Sequence, residues 1–297
     1  MGQKYPLAIA VDNISVYWIN TGDLGVSMVG QVMSMAKVGG SPISLALGQN
    51  YPTAIAIDDS TIYWLNYGDD GMMNGQVMSV PKTGGSPTDL AIGQNRPGGL
   101  AVDGSTVYWV NRGDDGMMNG QVMSVPKTGG TPTLLVGGQD RARSITVDNS
   151  NVYWVNLGSD NTSNGQVMSI SKLGGSATVL ATGQYQPIAL TLDENTVYWL
   201  NYTGDGQVMS VPKAGGTPTL LAGGQEHARS LTVDNSNVYW VNEGGSQVRS
   251  LPKAGGPVTT LAVGPIEFFA IAIDSSNVYW VFNALEGQVL ETTKPAQ

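Results

Sequence analysis

Ser144-Ile145-Thr146-Val147-Asp148-Asn149-Ser150-Asn151-Val152-Tyr153-Trp154-Val155-Asn156 reads as an apolar strand, an Asp-Asn turn, and a β-branched and aromatic strand ending on Asn. The chain writes this phrase seven times. Its tryptophans, Trp18, Trp64, Trp109, Trp154, Trp199, Trp240 and Trp280, are all the tryptophans present, and they fall 46, 45, 45, 45, 41 and 40 residues apart.

The second copy supplies the rest of the repeat. Ala54–Ile57 is a short, wholly apolar inner strand, Asp58-Asp59-Ser60 turns the chain, and Ile62–Leu65 is the aromatic strand. A loop over residues 66–75 leads to a third strand, Gln76–Val80, then to the turn Lys82-Thr83-Gly84-Gly85 and a weaker fourth strand around Leu90-Ala91. That fourth strand is read over Pro87–Ala91, and its proline suits a sheet edge. A period of 40–45 residues with four short antiparallel strands is one blade of a β-propeller, inner strand first. The chain therefore reads as a single all-β, seven-bladed domain over 1–297, with repeats starting near 2, 48, 93, 138, 183, 224 and 264. The last repeat ends at Gln297 before a fourth strand is written. A three-stranded seventh blade follows, with a ring closed by packing between blades rather than by a shared strand. Residues 68–85 and 113–130 are identical, the mark of recent duplication or of a designed array.

Composition agrees with this class and removes others. Only 12% of residues are charged, 40 of the 297 are glycine, and the formal net charge is −9. An acidic chain opposes nucleic acid as a partner, because phosphate binding needs a basic face. There is no cysteine, hence no disulfide framework and no thiol chemistry. No apolar run approaches membrane-spanning length, so membrane insertion is not expected. The N-terminus enters the first repeat without a signal-peptide core. Either the protein is cytosolic or a leader is absent from this chain; the low charge and the Thr, Ser, Asn and Gly surface suit an extracellular or periplasmic bacterial protein, expected to be a monomer.

Asp followed by a short turn and Tyr-Trp, then Asn two residues on, resembles the YWTD class of propeller repeats and the related NHL-type bacterial secreted propellers. The matching residues run from Asp12 with Tyr17-Trp18, through Asp58 with Tyr63-Trp64 and Asp103 with Tyr108-Trp109, to Asp274 with Tyr279-Trp280. The resemblance covers the whole chain, but Val, Leu or Ile and then Asn replace Thr-Asp, and the best-known members have six blades. It implies a rigid scaffold whose members mostly bind other molecules; a minority of propellers are hydrolases, lactonases or lyases. No catalytic motif of the family matches, so no active site is carried over.

A residue present in every copy builds the repeat. The seven Tyr-Trp pairs are read as packing between blades rather than as a stacking platform. The aspartates at 12, 58, 103, 148, 193, 234 and 274 and the lysines at 37, 82, 127, 172, 213, 253 and 294 share one face. There Asp caps turns, and Lys–Asp pairs add surface interactions of at most about 1 kcal/mol each.

The copies disagree on the opposite face, in the loop after each Gly-Gln: Lys4-Tyr5, Asn50-Tyr51, Asn95-Arg96, Asp140-Arg141, Tyr185-Gln186, Glu226-His227, and residues 265–269 in the seventh copy. Binding residues concentrate on such loops. The candidate ligand-binding set is Arg96, Asp140, Arg141, Arg143, Tyr185, Glu226, His227, Arg229, Glu267 and Phe268. Arg143 and Arg229 precede the inner strand by one residue and should converge at the channel mouth, where two guanidiniums suit a carboxylate or phosphate. The competing reading pairs them with Asp140, Glu226 or Glu267. A catalytic reading, as a lyase or hydrolase, rests on His227 with Glu226 or Glu267. The loops with Asp69 and Asp70, and with Asp114 and Asp115, offer oxygen ligands for Ca²⁺ but lack the regular alternating spacing; no cofactor is otherwise expected. Their Met pairs suit packing over neighbouring loops or a soft contact surface. Three functions remain: first a non-catalytic module binding a small molecule, glycan or protein at the channel mouth, and equally behind it a propeller enzyme and a structural or designed scaffold without ligand.

Overall fold

The structure, a computed structural model, describes residues 3–22, 29–69, 72–114, 117–159, 163–202, 205–264 and 268–295. Twenty-seven strands among them form seven sheets, six of four strands and one of three, each in consecutive antiparallel order. Blade four is representative: Ala142–Val147 lines the channel, followed outward by Asn151–Asn156, Gly165–Ser171 and Thr178–Gln184. Blade seven holds Phe268–Ile273, Asn277–Phe282 and Gln288–Thr293.

The second strand of each blade is buried on both faces because a neighbouring blade covers each side. The period of two along a strand then divides its aromatics. Trp154 packs toward blade three, in a cluster with Tyr108, Val110 and Val122. Tyr153 packs toward blade five, in a cluster with Leu190 and Trp199. The same pattern closes the ring, where Ile9, Val16 and Trp18 of blade one meet Ala270, Tyr279 and Val281 of blade seven.

The Gly-Gln that seemed to open each repeat instead ends the preceding blade and latches the two together. Gln139 closes the strand Thr133–Gln139, and its Oε1 accepts from Trp154 Nε1 at 2.9 Å and Asn156 Nδ2 at 3.0 Å of the next blade. Gln3 does the same for Trp18 and Asn20. Buried polar groups without partners are costly, so each latch fixes blade order as well as filling space. The seventh copy departs from this rule. Phe282 stands in place of Asn, Phe268 packs on Trp280 at 5.8 Å, and among the described residues Trp280 Nε1 has no acceptor.

Two expectations need correction. Closure between blades one and seven is not by side chains alone: Gln3 and Gly287 exchange two backbone hydrogen bonds of 2.7 Å, and Tyr5 N donates to Ala284 O at 2.8 Å. Gln3 occupies the position that Gln49 holds opposite Gly30 in blade one, a single-residue remnant of a fourth strand. The Lys–Asp pairs are also more than surface decoration. Each lysine reaches back to the aspartate of the preceding blade, as Lys213 to Asp148 at 2.9 Å and Lys82 to Asp12 at 2.6 Å, and Lys37 to Asp274 at 2.5 Å completes the circle. Both partners are largely covered, because the lysine lies over the tyrosine ring that donates to the same aspartate.

Each aspartate in this belt has at least four donors. Asp148 accepts from Ser150 N, Asn151 N, Tyr153 Oη and Lys213 Nζ. Partial burial pushes its carboxyl up, but Lys213, the two backbone N–H groups and Tyr153 together outweigh burial and bring it down to about 2.

Candidate functional site

The variable face is built on a strained backbone that every described copy shares. Tyr5, Tyr51, Arg96, Arg141, Gln186 and His227 all adopt left-handed conformations with φ between 48° and 55°. That region costs a residue with a Cβ about 1–2 kcal/mol. Each carbonyl accepts a hydrogen bond from the residue after the second strand's Asn, as Leu157 N to Arg141 O and Glu243 N to His227 O. The turn throws the chain onto the inner strand, and there a second device operates. The ladder slips between the first and third or fourth residues of every inner strand, as between Pro6 and Ala8 or Ala142 and Ile145. A bulge re-aims a side chain.

Seven second-position residues, Leu7, Thr53, Gly98, Arg143, Ile188, Arg229 and Phe269, line one cavity of about 420 Å³ at the channel mouth. Arg143 and Arg229 therefore lie inside the strands Ala142–Val147 and Ala228–Val233 rather than one residue before them. The layer below consists of small residues. Two of them stitch the ring: Ser144 Oγ accepts from Leu190 N at 3.3 Å, and Ser230 Oγ from Ile271 N at 3.4 Å. In blade three Gly99 takes this place, where a Cβ would stand 2.7 Å from Arg143 O, so only glycine permits the close approach of blade four.

The two channel arginines differ. Arg229 Nε and Nη2 donate to both carboxylate oxygens of Glu243, and its guanidinium lies 4.4 Å from the Phe269 ring centre and 5.5 Å from that of Tyr202. Its charge is matched and its faces are covered. Arg143 has no hydrogen-bond or carboxylate partner among the described residues. Burial, then the neighbouring Arg112 and Arg229, push its guanidinium down from 12.5 to about 10, so it stays charged at neutral pH. Arg96 and Arg112 line the same cavity.

The other candidates scatter. Arg141 is buried and turned into its own blade, with Nε and Nη2 both donating to Gly158 O. Phe268 is buried against Trp280, and its neighbour Phe269 faces the channel instead. Asp140 is half-buried, and Tyr185 and Glu226 are exposed, all three outside the cavity lining. His227 is exposed and stacks on Tyr202 at 5.1 Å; no carboxylate hydrogen-bonds its imidazole among the described residues. Glu267, Asp70 and Asp115 lie outside the described residues.

The Asp69 and Asp114 carboxylates close their own loops. Asn74 Nδ2 donates to Asp69 at 2.8 Å and Asn119 Nδ2 to Asp114 at 2.9 Å. Among the described residues no three His, Cys, Asp or Glu side chains converge as a metal cage. The methionines at 72, 73, 117 and 118 are exposed rather than packed over neighbouring loops.

Sequence reasoning missed Tyr67, Arg112, Tyr202 and Glu243. They share one offset, three residues after each Trp, where the copies read Thr21, Tyr67, Arg112, Leu157, Tyr202, Glu243 and Asn283. That position varies as strongly as the Gly-Gln loop and was the available signal.

A scan of protein-family models finds no match to the chain, and a search of curated proteins finds none either. Solved structures do resemble it. A streptogramin B lyase superposes with a TM-score of 0.78 at 11% identity over 99% of this chain and 95% of that one. A chain of a nidogen/laminin complex gives 0.63 at 19% identity over 83% and 95%. A puromycin-hydrolyzing peptidase of Mycobacterium tuberculosis gives 0.70 at 13% identity over 98% of this chain and 51% of that one. At these identities the likeness shows the fold alone, a seven-bladed β-propeller of a kind used by both binding proteins and enzymes.

Proposed function

We propose that the protein is a non-catalytic binding module that captures an anionic small molecule, or an anionic group of a glycan or protein, at the channel mouth. The observation that carries this reading is Arg143: a guanidinium with no carboxylate partner among the described residues, set in a cavity of about 420 Å³. In a chain of net charge −9, that guanidinium favours an anion. A paired arginine would satisfy itself, as Arg229 does with Glu243. The YWTD-like repeat and the secreted setting fit a module of this kind and stand as part of the proposal. Nothing in the site favours an enzyme, because His227 has an aromatic neighbour and no orienting acid among the described residues.

The test is a panel of small anions and neutral glycans measured by calorimetry on the wild type and on Arg143→Ala. A charge-assisted bond is worth about 1.5–3 kcal/mol, so an anionic hit should weaken roughly ten- to a hundred-fold in the variant. A hit whose affinity is unchanged by Arg143→Ala removes the channel mouth as the site.

A further inference from the structure

We infer that this site takes an amphiphilic monoanion, a single carboxylate carried on a compact aromatic or branched aliphatic body. The inference rests on the anion site proposed above and concerns the remainder of the ligand. The rim is polarised. Apart from the Arg229–Glu243 pair of blade six, charge sits in the sector of blades three and four, where Arg143 stands beside Gly98, which has no side chain to fill the space. In a ring of seven, the point across from blade four falls between blades seven and one. The rim residues there are Phe269 and Leu7, both apolar.

Below the rim the cavity offers no further charge. Ser144 and Ser230, whose hydroxyl oxygens accept from backbone N–H groups of the next blade, are neutral. Ile55 and Leu100, both only partly buried, lend the lining apolar surface, and Ile145 and Ile271 join it where they emerge from the packing between blades. Inorganic phosphate seated at Arg143 would leave this surface wet, whereas a hydrocarbon body would cover it. Arg229 adds no second anion seat, because Glu243 matches its charge, and Arg96 and Arg112, which also line the cavity, are engaged in interactions of their own. The cavity of 420 Å³ equals about fourteen water volumes, room for a ligand of roughly a dozen non-hydrogen atoms.

Four probes separate the parts of this inference: 4-phenylbutyrate, its neutral counterpart 4-phenylbutanol, acetate and inorganic phosphate, each titrated calorimetrically into the whole chain. The expected result is a dissociation constant for phenylbutyrate at least about tenfold below those of the other three. Phe269→Ala should weaken phenylbutyrate several-fold and leave acetate unchanged. Arg143→Met should abolish the preference for phenylbutyrate over phenylbutanol, and Arg143→Lys, which keeps the charge, should retain part of it. Acetate or phosphate binding as tightly as phenylbutyrate overturns the amphiphile and leaves the anion site standing. Equal binding of phenylbutanol and phenylbutyrate overturns both, and the absence of binding by all four overturns the amphiphile.

Discussion

The two faces of the ring carry the same seven backbones and use them in opposite ways. On one face every copy places Asp, Tyr and Lys identically, and each charge meets its counterpart on the neighbouring blade, as Lys253 meets Asp193 at 2.7 Å. On the other face the backbone is just as regular, down to the left-handed turn and the bulge, but the side chains delivered there differ from copy to copy. Charges on the first face are satisfied by the repeat itself. Charges on the second face must find partners case by case; Arg229 finds Glu243, and Arg143 finds none among the described residues. Repetition thus makes one face a belt and leaves the other open to recognition.

The largest effect that would break this comparison belongs to the belt. Asp148→Ala removes the acceptor of four hydrogen bonds and strands the Lys213 ammonium, so it should lower unfolding free energy by about 2–3 kcal/mol in urea titration. A loss under 0.5 kcal/mol would return these pairs to the status of surface interactions.

Acid should act next, and on the belt selectively. Asp12, Asp103, Asp148, Asp193 and Asp234 are lowered from 3.8 to about 2, with Asp58 and Asp274 lower still. A carboxyl whose folded value is depressed contributes stability above its unfolded value and loses it as pH falls through the folded one. Thermal midpoints should therefore hold above pH 4 and fall steeply between about pH 4 and pH 2. Asp148→Asn should show a shallower fall. An unchanged slope in that variant would show that the belt is not what acid titrates.

The smallest effect, with the opposite sign, belongs to the channel mouth. Arg143→Met removes an unmatched charge from beside Arg112 and Arg229, so stability should stay within about 0.5 kcal/mol of the wild type or rise. A marked loss of stability would mean that Arg143 is structural, and the contrast between the two faces would fail.

Much of this molecule was legible in its sequence because each blade is written locally. The Trp spacing, the Asp-turn-Tyr-Trp phrase and the missing seventh fourth strand led to seven sheets with three strands in the last. The site was half legible. The Gly-Gln loops pointed to the correct face, yet of the nine candidate ligand residues among the described residues only Arg96, Arg143 and Arg229 line the cavity. Arg141 and Phe268 sit next to cavity residues in sequence and turn the other way, because a bulge, unseen in a residue pattern, decides which neighbour faces the channel.

The sequence by itself determined the repeat, its copy number and the offsets at which copies differ, since each of these is a property of one blade. The tertiary structure decided which charges are matched. The belt pairs join residues 60 to 70 positions apart, and 237 apart where the ring closes, so their registration depends on how blades stack. Tyr67, Arg112, Tyr202 and Glu243 count for the site only because the ring brings the ends of their strands beside the inner strands. Among the described residues Arg143 remains without a partner because the carboxylate that answers Arg229 lies at the end of the adjoining strand of its own blade, and at that offset blade four carries Leu157.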